Sequence, residues 1–91
     1  MEVVYKHYNM AKVKTYWEEK LVKSGFMPFN TTISYKDLGS KELDSDNLPK
    51  IGDKVVGEYG VWVVLDKYFY ITDGAWKFIV SNIKRYNKNS E

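Results

Sequence analysis

The chain has no cysteine, two prolines, one histidine and one arginine in 91 residues. The missing thiols exclude disulfides, zinc knuckles and thiol nucleophiles, so burial and hydrogen bonding must hold the fold. The single histidine, His7, lies far in sequence from any cluster of acids, and a lone imidazole more often packs or faces water than acts as a general base. Thirteen of the fourteen basic residues are lysine, whereas phosphate binders favour the bidentate guanidinium. Apolar runs such as VWVVL fall far short of the roughly 20 residues that cross a bilayer. MEVVYKHY is too polar for a secretion signal, so the glycosylation-like NTT carries no weight and a cytoplasmic location is expected. Abundant Lys, Asn, Ile and Tyr follow from AT-rich coding sequence, which suggests a low-GC bacterium or a phage of one.

What is present describes one modest domain over 1–91. Hydrophobic residues make up 44% and charged residues 29%, with a formal net charge of +2, an ordinary folding composition. The two ends are mildly basic. The span from Lys36 to Glu58 is acidic, with six acids against four lysines. Residues 60–80 are rich in rings: Trp62, Tyr68, Phe69, Tyr70, Trp76 and Phe78.

MEVVYKHY reads as a strand. After Asn9 as a helix cap, Met10, Val13, Trp17 and Leu21 recur every three or four residues, which predicts an amphipathic helix from about Met10 to Ser24, with Lys14–Glu18 and Glu19–Lys23 as opposite charges four apart and Gly25 as its terminator. TTISYKDL predicts a strand and GSKELDSDNLPKIGD a long polar loop. A meander follows: KVVGE, VWVVL, YFYIT and AWKFIV, with turns at Tyr59–Gly60, Asp66–Lys67 and Asp73–Gly74, the last being a strong hairpin signal. The expected class is α+β: a small antiparallel meander or barrel over 31–87, preceded by a strand–helix extension over 1–30 and followed by a disordered tail at 88–91.

Alternation along these strands predicts that Val61, Val63, Leu65, Phe69, Ile71 and Phe78 point inward and that Trp62, Tyr68 and Tyr70 share the outer face. Either the helix packs on that face or the face binds something.

The segments ISYKDLGSKELDSDNLPKIGDKVV and WKFIVSNIKRY resemble an SH3-type barrel over 33–86. They hold a tyrosine on an initial strand, an acidic loop, Gly52–Asp53 before the next strand, and Ser81–Asn82 opening a tight turn before the last. Val80 stands where the family has proline, and the family's tandem tryptophans are absent. The resemblance implies a binding module that grips proline-rich peptides in an aromatic groove, with Tyr35 matching a groove tyrosine and Glu42, Asp44 and Asp46 matching the acidic loop; bacterial barrels of this kind serve varied ends.

Catalysis and metal binding find no motif. DSDN starts like a calcium loop, but Leu48 and Pro49 interrupt it. No cofactor is expected. The functional expectation is a non-enzymatic protein-binding module, of the kind phage or mobile elements use to modulate or inhibit a host protein, acting through Trp62, Tyr68, Tyr70, Tyr35, Glu42, Asp44 and Asp46. The alternative is single-stranded nucleic acid stacked on the rings with Lys77, Lys84, Arg85 and Lys88 as a basic rim. An exposed sheet edge also allows a homodimer.

Overall fold

The structure, a computed structural model, describes residues 11–25 and 31–86. The expected N-terminal strand, His7, the FMPFN turn, Lys88 and the tail lie outside the described residues. Five strands form one sheet: β1 (Lys12–Ser24), β2 (Thr31–Asp44), β3 (Lys54–Gly57), β4 (Gly60–Tyr70) and β5 (Ala75–Arg85), in the order β2-β1-β5-β4-β3. All neighbours are antiparallel except β1 and β5, which are parallel. Among the described residues the sheet is mixed and does not close.

The expected helix is therefore corrected to a strand, and the class from α+β to all-β: no helix occurs among the described residues. Val13, Trp17 and Leu21 are four apart, and four is both close to one helical turn and twice the strand period of two. The same spacing that makes a helical stripe thus makes one face of a strand. Val13, Thr15, Tyr16, Trp17 and Val22 are β-branched or aromatic and favour the strand. Pairing on both sides then decides the matter, since β1 hydrogen-bonds to β2 along its length and to β5 over residues 15–19.

Three other expectations change for related reasons. GSKELD is not loop, because β2 runs on to Asp44. The turn expected at Asp66–Lys67 is a bulge within β4: Val64 opposes Val80 and Asp66 opposes Ile79, leaving Leu65 extra. A bulge moves the following residues to the other face. Likewise, β5 continues through Ser81–Asn82, where the SH3-type resemblance implied a tight turn. The hairpin expected at Asp73–Gly74 is present as the turn 71–74, with Gly74 at φ 61° and its N–H donating to the Tyr70 carbonyl at 2.8 Å.

The core lies on one face. Val64, Phe78 and Val80 are buried there, with Trp17, Leu48, Val55, Trp62 and Trp76 packed around them. Trp17 stacks on Phe78 at 4.5 Å between ring centroids and 16° between planes. Strand order explains the lid: β2 and β3 are consecutive in the chain but occupy opposite edges, so residues 45–53 must traverse the sheet, and Leu48 seals the core as they do so. Four strand spacings amount to about 19 Å, well within the reach of nine residues. The radius of gyration, 16.9 Å, exceeds the roughly 11 to 12 Å of a compact domain of this length, so much apolar area stays outside.

Two substitutions should weaken this fold measurably in urea. Phe78→Ala removes the ring at the centre of the core and should cost about 3 to 5 kcal/mol. Gly60 is buried, and a Cβ there would run into the Lys84 carbonyl, so Gly60→Ala should cost about 1 to 3 kcal/mol.

Candidate functional site

The β4 bulge separates the three rings expected to act together. Trp62 precedes it and shares a face with Val64, opposite Asn82 and Val80; Tyr68 and Tyr70 follow it and lie opposite Lys77 and Ala75. Trp62 therefore belongs to the core side. Its Nε1 donates to Glu19 Oε1 at 3.2 Å, and its ring packs against the core.

The other face gains Tyr16, which the sequence reading of a helix over this segment did not single out as a site residue. Tyr16 is opposite Lys77 across the β1–β5 pair, just as Tyr68 is opposite Lys77 across β4–β5. Lys77 thus sits between two tyrosines on a single rung, with Tyr70 on the next. Their exposures are 36% for Tyr16, 49% for Tyr68 and 40% for Tyr70, whereas Ala75 and Ile79 on the same face are buried. The signal for Tyr16 was the alternation of β1, which becomes legible only once the segment is known to be a strand.

Charge on this face is locally cancelled. Lys77 Nζ lies 3.1 Å from Glu18 Oε2. Hydrogen bonding to Glu18 raises the Lys77 pKa above the usual 10.5; partial burial opposes the rise, and the charge of Glu18 and contact with Tyr70 add to it. Lys14 stands 5.3 Å from the centroid of the Tyr16 ring, a geometry that favours the cation–π attraction.

The remaining expected site residues are scattered. Tyr35 is exposed near the start of β2, while Glu42 and Asp44 lie at its far end within the strand rather than in a loop. From Tyr35 to Asp44 is about 30 Å of extended chain, so no groove unites them. Asp44 pairs with Lys12 at 3.0 Å. Asp46 lines a shallow surface hollow with Leu48, Pro49 and Asp53. Of the basic residues, Arg85 donates to the buried Glu19 carboxylate at 3.1 Å, and Lys84 sits 5.9 Å over the Tyr86 ring. No group of three or more His, Cys, Asp or Glu among the described residues could hold a metal ion. No helix among them is long and apolar enough to cross a membrane.

Glu19 is 2% exposed and holds Trp62 and Arg85 together. Removing a partner from a buried carboxylate leaves it undersolvated, so Arg85→Ala should destabilise by about 1.5 to 3 kcal/mol in urea unfolding. Glu18→Gln should bring the Lys77 pKa, followed by NMR, down toward 10.5. Because the folded value is the raised one, the stability that Lys77 contributes is complete below about pH 10.5 and is lost as pH climbs through the raised value; Glu18→Gln should reduce that alkaline decline, since Glu18 is the first cause of the rise. Comparison of the chain with protein-family models, curated proteins and solved structures finds no match.

Proposed function

We propose that this chain is a non-enzymatic protein-binding module that docks a folded partner on the Tyr16–Tyr68–Tyr70 face, not in an SH3-type groove. The observation that carries the reading is the convergence of three half-exposed tyrosines from β1 and β4 around the Lys77–Glu18 pair. Tyrosine joins a large apolar ring to a polar tip and loses little rotamer freedom on contact, which is why it anchors protein interfaces. Pairing favours the same class of partner, since a lysine already matched by a carboxylate costs less to cover with another protein than an unmatched one.

Single-stranded nucleic acid is the weaker reading. A phosphate backbone needs a run of uncommitted cations beside the rings, yet Lys77 is paired with Glu18 and Arg85 with Glu19, which leaves Lys14 beside Tyr16 and Lys84 beside Tyr86. The lysine-rich, arginine-poor composition makes a low-GC bacterium, or a phage growing in one, the place to seek the partner.

The test is affinity capture from such a lysate with the wild type, Tyr16→Ala/Tyr68→Ala and a control, Tyr86→Ala. We expect a partner retained by the wild type and the control and weakened at least tenfold by the double variant, with unchanged unfolding curves. Equal capture by all three would refute the face. Saturable binding of an oligonucleotide that competes with that partner would move the reading to nucleic acid.

A further inference from the structure

β1 and β5 part company after Glu19 and Val80. Beyond that point β1 pairs only with β2, so Lys20–Ser24 and Thr31–Lys36 form a two-stranded arm with no third strand among the described residues. An isolated ribbon of two strands is marginal in water, and this one leaves Val22, Ile33 and Tyr35 at 59%, 52% and 55% exposure. Among the described residues β2 is the edge of the sheet, and the arm is where that edge is least supported.

We propose that residues 31–37 of β2 pair antiparallel with the same segment of a second copy, with Ser34 on the two-fold axis. The argument is self-complementarity. Centring on Ser34 sets Ile33 against Tyr35 of the partner subunit, twice by symmetry, and such pairs of an aromatic and a branched side chain stabilise sheets. It sets Lys36 against Thr32 of the partner subunit and Thr31 against Asp37 of the partner subunit, so no like charges meet. Lys36 keeps Glu19 as its neighbour on β1, and Ile33 keeps Val22. Val22, Ile33 and Tyr35 of both copies then form one apolar stripe across four strands.

The limits of the pairing are also built in. Leu38 is skipped in the β1–β2 register, and Gly39 adopts φ 96° with its N–H bound to Asp37 Oδ1 at 2.8 Å. That bulge interrupts the edge just past Asp37. A register centred on Gly39 would, after skipping Leu38 in each strand, face Lys36 with Lys41 of the partner subunit, which like-charge repulsion disfavours. Antiparallel pairing about an axis perpendicular to the sheet keeps equivalent faces on one side, so both tyrosine faces of the dimer point the same way.

Because the chain lacks cysteine, single thiols report the geometry directly. On the two-fold axis, residue 34 meets its own counterpart at about 4.5 to 5.5 Å between Cα atoms, within reach of a disulfide or a short bridging reagent. Ser40 lies on the same edge, but its two copies would be roughly 40 Å apart. We expect Ser34→Cys to cross-link at least tenfold faster than Ser40→Cys, and the wild type to sediment with a concentration-dependent dimer. Ile33→Lys/Tyr35→Lys places lysine opposite lysine; both sites are exposed, so the monomer should still fold while the dimer and the Ser34→Cys cross-link are lost. Equal cross-linking at 34 and 40, a wild type that stays monomeric at every concentration, or a dimer indifferent to the double lysine variant would each overturn the proposal. None of these readouts depends on the tyrosine face.

Discussion

The structure depends on the seating of β1 between β2 and β5, fixed by the stack of Trp17 on Phe78. Trp17 stands directly opposite Phe78 in the parallel register, and the 4.5 Å contact joins the N-terminal hairpin to the C-terminal meander. A short polar relay orients the indole: Trp17 Nε1 donates to Thr15 Oγ1 at 2.8 Å, and that buried hydroxyl donates to the Lys41 carbonyl at 2.7 Å. Thr15 is fully buried and satisfied in both roles, which buried polar atoms require. The relay binds β1 to β2 while the ring binds β1 to β5. Without β1 the sheet would end at β5 and expose the centre of its core.

Two of the three register shifts among the described strands then determine what these faces present. The one at Leu65 lets β4 supply Trp62 and Val64 to the core before it and send Tyr68 and Tyr70 to the opposite face after it. Lys67 and Phe69 return to the core side; Phe69 lies 5.2 Å from Trp76 and the Lys67 ammonium 5.0 Å from the same indole. The one at Leu38 divides β2 into the arm and a portion that pairs with Lys12–Trp17 of β1. A strand without these irregularities would have put Trp62 beside Tyr68 and Tyr70, as plain alternation requires. The candidate site is thus as much a product of backbone irregularity as of side-chain identity.

A small core beside a broad sheet accounts for the surfaces. Only five hydrophobic side chains among the described residues are buried, so most rings have no interior to enter. The tyrosine face and the β2 edge differ in what they offer. The first presents rings around a cancelled charge pair, suited to side-chain recognition; the second presents backbone donors and acceptors in a row, suited to adding a strand. They lie on different parts of the sheet, and occupation of one leaves the other open.

Composition and local pattern alone establish much about this protein: it folds without disulfides, its second half is a series of strands, the Asp73–Gly74 turn closes a hairpin, and its tyrosines exceed what a core can hold. These follow from chemistry local to a few residues. The character of β1 does not, because apolar residues four apart satisfy helix and strand alike, and only hydrogen bonding to two partners distant in sequence selects the strand. Nor does the membership of each face, since a bulge is a property of two strands in register and leaves no mark on either one alone. Tertiary pairing joined the Trp62 indole to Glu19, gave Arg85 to Glu19, and set Tyr16 across Lys77 from Tyr68, and in each case the two residues are more than forty positions apart along the chain.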